Sequence, residues 1–137
     1  MGYSGSSYMD VPMNQKIFMA QYECIKKLAE QESCIIVGRC ADYALKDMPG
    51  LVSVFISADM DFKIKRVIEM YGCDEVKAKD IINKTNKKRA SYYNFYSNKK
   101  WADSRSYNLC INSSAVGIEN AADLIIQFMN LKLNKKD

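Results

Sequence analysis

Short apolar runs, separated by longer segments with helical periodicity, constrain the fold of this 137-residue chain more than any other feature. The runs are "CIIV" at 34–37, "LVSVFIS" at 51–57 and "YNLCINSS" at 107–114. The first is too short for a helix and rich in β-branched residues, as strands are. None alternates clearly between apolar and polar residues, which is typical of parallel strands that helices cover on both faces. The sequence therefore predicts three buried strands of a parallel sheet.

Helical patterns fill the intervals between these runs. Asp10 and Pro12 suit the start of a first helix. Its predicted inward face carries apolar residues at helical spacing, namely Met13, Ile17, Ala20, Cys24 and Leu28. Further helices are predicted over 41–45, 59–71, 74–96 and 117–133, with Asp59 at the N-cap of the second of these, Gly72 after its end and Asp74 at the start of the third. Because no linker or internal repeat interrupts the pattern, we predict one α/β domain over residues 1–137.

Composition excludes several classes of function. The chain has no histidine, so Ser-His, Cys-His and histidine-metal chemistry are excluded. Its five cysteines show no metal-ligand spacing, and we expect reduced thiols and no metal site. No apolar run approaches the ~20 residues that span a bilayer, and the first residues do not resemble a signal peptide. We therefore expect a cytoplasmic protein that does not bind a membrane.

Positive charge is concentrated in one segment. The net charge is +4, and residues 77–100 contribute +7, from eight Lys or Arg against Asp80. Such a segment suggests a phosphate or polyanion partner. A solvated, lysine-rich helix face explains the charge alone equally well.

Polar residues follow two of the predicted strands. Gly38 and Arg39 come directly after the first run, and Asn112, Ser113 and Ser114 end the third. Ligands of such sheets bind outside the carboxyl ends of the strands. Glycine allows a close backbone approach, and arginine offers a planar fork to phosphate. Asn112 and the serines suit either an anion or base edge, or simple helix capping.

One face of the long basic helix carries an unexpected charge. Ile82, Asn86, Arg89 and Tyr93 lie at intervals of four, three and four residues. A charged Arg89 on this face needs a partner. Either a bound phosphate or an internal carboxylate, such as Asp42 or Asp103, satisfies that need.

Five segments in this order resemble the cytidylate kinase-like family of P-loop phosphotransferases. They are "SCIIVGRCADYAL", "VFISADMDFKIKRV", "KTNKKRASYYNFY", "KKW" and "YNLCINSSAVGIE", and the resemblance covers roughly residues 14–130. It implies a P-loop NTPase-like parallel sheet with a helical lid at about 72–100. It also implies transfer of a phosphoryl group from ATP, with Mg²⁺, to a nucleoside monophosphate such as CMP.

The resemblance also implies roles for particular residues. Three arginines are the implied catalytic residues. Arg39 resembles the arginine that holds the acceptor phosphate, Arg66 resembles an arginine on the helix entering the lid, and Arg89 resembles the lid arginine that meets the transferring phosphates. Gly38, Arg39 and Asp42 resemble the acceptor-binding residues. Asn112, Ser113 and Ser114, together with Lys84, are the implied nucleotide-binding residues. We expect Arg39 and Arg89 to face one cleft.

The chain departs from the family pattern in two ways. Asn86 stands where the family often carries aspartate, which removes a charge that would orient Arg89. The sequence also has no GxxxxGK[ST] motif, and "GYSGSS" at 2–7 follows no strand. The family's first, central strand is therefore apparently missing, and we expect the chain alone to be inactive. Either the strands at 34–38 and 51–57 close up against each other, or another segment fills the gap, such as one swapped from a second copy in a homo-oligomer.

A second class of function stays open. Lysines 84, 87 and 88 and Arg89 lie near several aromatic residues in the sequence, a pattern typical of single-stranded nucleic-acid binding. These aromatic residues are Tyr92, Tyr93, Phe95, Tyr96 and Trp101. The alternative is thus a nucleic-acid or partner-binding module over 77–101. Under the kinase interpretation the partners are nucleotides and not nucleic acid. Buried tyrosines would favour the lid, and displayed tyrosines would favour the module.

Overall fold

A computed structural model of the protein describes residues 4–136, with side chains described for 13–136. The chain divides into two compact units, residues 1–51 and 52–137. Its described elements are helices and a small parallel sheet, so the fold is mixed α/β, as predicted. The single-domain assignment stays a prediction.

The first unit is built on two helices, α1 (Ser4–Gln31) and α2 (Ala41–Ala44). Helix α1 begins before Asp10, the predicted start, whose side chain lies outside those described. The core contains Ile25, Ala41, Ala44 and Leu45, against which Tyr22, Ala29, Ile36, Met48 and Leu51 pack.

The inward face of α1 differs from the predicted one. Met13, Ile17 and Leu28 are exposed, while Tyr22, Ile25 and Ala29 face the core. Two apolar stripes run along this helix, and the one that carries an aromatic ring and the buried isoleucine packs against α2. Tyr22 also contacts Tyr43, with ring centroids 6.2 Å apart. Periodicity alone does not choose between two such stripes.

The predicted first strand is not a strand in the structure. Residues 33–37 lie between α1 and α2 without a strand pairing in the described part of the chain. Ile35 and Val37 are 95% and 89% exposed, and only Ile36 packs on the core. An apolar run forms a strand only where a neighbouring strand takes its backbone hydrogen bonds. Residues 33–37 have no such neighbour in the described chain.

The second unit contains the sheet, formed by β1 (Val54–Ser57) and β2 (Leu109–Asn112). The strands are parallel, with Val54 opposite Leu109 and Ser57 opposite Asn112. Both are shorter than the runs that predicted them. Their parallel direction is as predicted, and it places both carboxyl ends at one edge of the sheet.

Two helices follow β1 in the chain and pack on each other. Helix α3 (Met60–Tyr71) ends at Gly72, which has the left-handed backbone that suits glycine at a helix end. Helix α4 (Glu75–Ser97) is capped by the Asp74 side chain, which accepts from the backbone N–H of Lys77. Ile64, Ala78 and Ile82 form the buried contact between them.

An aromatic cluster packs around β1. Phe55 contacts Trp101 edge-on at 5.2 Å and Tyr107 at 5.0 Å between ring centroids. Tyr107 stacks on Tyr93 of α4 at 5.8 Å. Helix α4 is therefore held near one end by α3 and near the other by this cluster.

Helix α5 (Ser113–Val116) and helix α6 (Ile118–Leu133) follow β2.

Candidate functional site

A network of polar side chains joins the carboxyl ends of β1 and β2. The Nδ2 group of Asn112 donates to Oδ1 of Asp59 at 2.9 Å. Oδ1 of Asn112 accepts from the backbone N–H of Ser114 at 3.0 Å and from its hydroxyl. The backbone N–H of Asp59 donates to Oγ of Ser114 at 2.9 Å. Asn112 and Ser114, both predicted site residues, are thus brought together.

Ser113 has a different position in the same network. Its side chain is buried, and its hydroxyl donates to the backbone carbonyl of Ser57 at 3.0 Å. The hydroxyl of Ser57 donates in turn to the carbonyl of Ile111 at 3.4 Å. Ser113 therefore ties the two strand ends together and faces away from solvent.

Asp59 is the member of this network that sequence reasoning missed. It was predicted only as the cap of α3, yet its side chain makes no capping hydrogen bond and accepts from Asn112. A signal was present in the sequence, because Asp59 follows β1 as Asn112 ends β2. Residues at the carboxyl ends of adjacent parallel strands meet at one edge.

The predicted Gly-Arg site lies on an unusual turn of the first unit. Gly38, Arg39 and Cys40 all have left-handed backbone, with φ of 73°, 57° and 54°. This conformation is uncommon outside glycine, and at Arg39 and Cys40 it costs on the order of 1–3 kcal/mol each where surrounding structure imposes it. Ile36 before the turn and Ala41 after it are packed in the core. The turn holds an exposed Arg39 on a fixed backbone.

Cys40 anchors this turn and is chemically inert. Its side chain is buried, and burial, with the nearby Asp42 carboxylate, raises the pKa of its thiol to about 11. The thiolate is the reactive form of cysteine, so this group does not act as a nucleophile near neutral pH. Asp42 itself accepts from the backbone N–H of Tyr43 at 2.9 Å.

Arg89 occupies the position on α4 that the sequence singled out. Ile82 and Tyr93, on the same face, are 6% and 7% exposed, whereas Arg89 between them is exposed. No ion pair of Arg89 occurs among residues 13–136. Asp103, one predicted partner, instead binds Arg105 through two side-chain hydrogen bonds of 2.7 and 3.0 Å. These bonds hold the pKa of the Asp103 carboxyl well below its usual range.

The other predicted cations are on the surface of the helix pair. Arg66 is exposed on α3, and Lys84 on α4 makes a surface ion pair with Asp80 at 3.0 Å. Exposed pairs of this kind contribute about 0.3–0.5 kcal/mol, so Lys84 is only weakly held. The structure gives no contact that joins Arg66, Lys84 and Arg89 into one cluster.

The aromatic residues near the basic segment are divided between core and surface. Tyr93 is buried against Tyr107, and Trp101 packs on Phe55. Phe95 is 67% exposed and contacts Tyr96 edge-on at 4.9 Å. A module that stacks several bases on displayed rings is therefore not favoured over the lid interpretation.

Comparison with known proteins decides the family. The family model described as "Cytidylate kinase-like family" matches residues 1–115. This chain belongs to the cytidylate kinase-like family. A solved structure of an uncharacterized protein from Eubacterium ventriosum ATCC 27560 is similar, with 44% identity and a TM-score of 0.82. The match covers 85% of this chain and 66% of that one, so this chain spans about two thirds of its solved relative. No curated protein matches.

Membership of the family supports a nucleotide kinase-like function at a coarse level. Within the residues that the structure describes, no helix has the length and apolar character needed to cross a bilayer. The same residues contain no group of three or more side chains that could hold a metal ion. The family implies Mg²⁺ with ATP, and Mg²⁺ in nucleotide sites is usually held by one or two carboxylates together with substrate phosphates and water.

Proposed function

We propose that this chain binds nucleotides and contributes to phosphoryl transfer from ATP to a nucleoside monophosphate of the CMP type. The observation that carries the proposal is Arg89. It lies exposed between the buried Ile82 and Tyr93, without an ion pair in the described part of the chain. An exposed arginine without an ion pair suits a phosphate, because the negative phosphate oxygens accept hydrogen bonds from the positive guanidinium.

Arg39 supports the same proposal from the first unit. Its backbone is strained and fixed by packed neighbours on both sides, while its side chain is exposed. Strain of this kind clusters at ligand sites. Phosphoryl transfer needs mainly positioning and charge neutralisation, which arginines on fixed backbone supply. That Arg39 and Arg89 share one cleft stays a prediction.

The lid and the residue roles that the family resemblance implies are also part of this proposal. We assign the lid to the region around α4 and the acceptor phosphate to Gly38, Arg39 and Asp42. Arg66 is assigned, with Arg39 and Arg89, to catalysis. Asn112 and Ser114, with Lys84, are assigned to the nucleotide, and Ser113 supports them through its bond to the carbonyl of Ser57. ATP is the phosphoryl donor in this scheme. The sequence contains no GxxxxGK[ST] motif, so we expect the chain alone to turn over well below ~1 s⁻¹, the lower end for kinases.

The test is a titration with ATP followed by amide NMR shifts, which report even millimolar affinity. Arg89→Gln and Arg39→Gln should each weaken binding about tenfold or more, because a hydrogen bond to a charged group contributes about 1.5–3 kcal/mol. The matched controls are Lys88→Gln, one residue away on α4, and Lys27→Gln, an exposed cation of α1. Both remove the same charge and should change the affinity less than threefold.

Three outcomes would contradict the proposal. Equal losses for Arg89→Gln and Lys88→Gln would mean that only diffuse charge attracts the nucleotide. An absence of shifts with ATP at millimolar concentration would mean that the chain has no nucleotide site. Tight binding of a single-stranded RNA, lost on Phe95→Ala, would favour the nucleic-acid module instead. A coupled assay with ATP and CMP reaching ~1 s⁻¹ would overturn the expected inactivity.

A further inference from the structure

Helix α6 carries much more apolar surface than the chain buries. Its buried face packs on β2 and α5 and is formed by Ala121, at 4% exposed, with the half-buried Ile125 and Phe128 beside it. The other large apolar side chains of the helix are all exposed, namely Ile118, Leu124, Ile126, Met129, Leu131 and Leu133. Contiguous apolar surface of this extent is rare on monomeric proteins and marks interaction sites.

Most of this exposed surface is one continuous stripe. Its members are exposed and follow one another at intervals of four, four, three and four residues: Ile118, Ala122, Ile126, Met129 and Leu133. Such intervals keep side chains on one face of a helix. At a rise of 1.5 Å per residue the stripe is ~24 Å long, so it runs the whole length of α6.

The stripe is complementary to itself when its direction is reversed. If a twofold axis passes beside Ile126, Ile118 of one copy lies opposite Leu133 of the other. Ala122 then lies opposite Met129, so a small side chain meets a long one. A twofold contact uses the same surface patch on both copies and therefore requires this self-complementarity.

Charged residues near the two ends of α6 favour the same antiparallel direction. Glu119 and Asp123 lie in its N-terminal half, and Lys135 and Lys136 follow its C-terminal end. All four are exposed, and none forms an ion pair in the described part of the chain. An antiparallel pair places the acidic end of each copy at the level of the basic end of the other, whereas a parallel pair places like charges together.

We infer that the stripe on α6 is a homodimer interface, formed by antiparallel packing against α6 of a second copy. The charges alone would also suit the dipole of a single helix, and it is their combination with the exposed stripe that identifies the partner. The stripe contains none of the residues assigned to the nucleotide, so this inference does not depend on the proposed function. A contact of two helices buries less than about 1,200 Å² in total, which is typical of weak association, and we expect a micromolar Kd.

The experiment is sedimentation equilibrium of the full chain from ~5 to ~500 µM, a range that covers weak association. The wild type should pass from monomer to dimer. Ile126→Lys places two like charges at the axis and should raise Kd about tenfold or more. Gln127→Lys is the matched control, because it adds the same charge on the exposed polar face and should change Kd less than about threefold. Ile126 is 54% exposed, so both variants should fold, and thermal unfolding checks this.

Charge reversal tests the direction of packing. Glu119→Lys with Asp123→Lys makes both ends of α6 basic, and Lys135→Glu with Lys136→Glu makes both ends acidic. Each double variant alone should dimerise at least about threefold more weakly than the wild type, and an equal mixture of the two should recover the wild-type affinity. In a parallel pair, like charges already meet in the wild type, so the reversals would leave the affinity unchanged.

Several results would overturn the inference. One is a wild-type chain that stays monomeric over the whole concentration range. Another is a dimer that Ile126→Lys leaves intact. If Val37→Lys dissociates that dimer instead, the contact lies in the unpaired run at 34–37 and not on α6. An affinity that neither charge reversal changes overturns the antiparallel direction.

Discussion

Residues 34–37 and strand β1 (Val54–Ser57) are similar in sequence and different in structure. Both are short, apolar and rich in β-branched residues. Strand β1 is paired along its length with β2, whereas residues 34–37 pair with no strand of the described chain. Side chains in the unpaired run are almost fully exposed at Ile35 and Val37. The comparison teaches that strand propensity acts through neighbours, because backbone N–H and C=O groups need partners.

An exposed apolar run of this kind is also a hazard. Unpaired strand edges promote association, and natural proteins protect them with charges, proline or a covering element. Residues 34–37 contain neither charge nor proline. The swapped segment from a second copy stays a prediction, and if such a segment covers this run, truncation of Val37 will lower the stability.

The largest expected effect is a difference in stability between substitutions in the paired sheet and in the unpaired run. Ile111 of β2 is 8% exposed, so Ile111→Ala should lower the free energy of unfolding by about 2–5 kcal/mol. Val37→Ala, in the unpaired run, should change it by less than about 0.5 kcal/mol. Urea denaturation of both variants measures the difference. A large loss for Val37→Ala would break the comparison, since it would mean that the run is covered in solution.

Two cysteines in and just after the unpaired run provide a test with pH. The folded-state pKa of Cys40 is raised to about 11, above the ordinary value of about 8.5, so unfolding releases a proton in this window. The associated stability is complete below pH 8.5 and is lost as pH rises towards 11. At about 1.4 kcal/mol per unit, the loss reaches roughly 2–3 kcal/mol.

Cys40→Ala should remove this part of the pH dependence, measured as the free energy of unfolding at pH 8 and pH 11. The matched control is Cys34→Ala, which removes an exposed thiol from the unpaired run. It should lose stability with pH as the wild type does. If the free energy of unfolding falls equally between pH 8 and pH 11 in the wild type and in Cys40→Ala, the left-handed turn is open to solvent.

A smaller effect is expected at the tie between the strand ends. Ser113→Ala removes the hydrogen bond to the carbonyl of Ser57 and leaves that acceptor without this partner. The cost should be about 1 kcal/mol. Ser33→Ala, at the start of the unpaired run, should have no measurable effect because Ser33 is exposed. Equal effects of the two substitutions in urea denaturation would mean that the tie is not maintained in solution.

The sequence predicted the parts of the fold that local chemistry decides. As expected, Gly72 ends α3 and Asp74 caps the start of α4. The parallel direction of the sheet is also confirmed. It could not predict which stripe of α1 packs, because both are apolar. It also could not show that Asp59 serves Asn112 instead of its own helix. That choice depends on where β2 lies, 53 residues further along the chain.

The smallest predicted effect concerns the basic helix α4, compared with β1. Lys84 and Lys88 are four residues apart and repel each other, at a cost of roughly a few tenths of a kcal/mol. Asp80 offsets part of that cost through its ion pair with Lys84. Lys88→Gln should therefore slow amide hydrogen exchange across 77–100 slightly, by less than about threefold, and leave β1 unchanged.

A polyanion should act on the same segment more directly, since it neutralises several of these charges at once. We expect exchange across 77–100 to be faster than in β1 without ligand and to slow when ATP is added, as a lid requires. Protection equal to that of β1 without ligand would identify α4 as a structural helix, held by Ile82 at one end and Tyr93 near the other. Protection by single-stranded RNA but not by ATP would instead favour the nucleic-acid module.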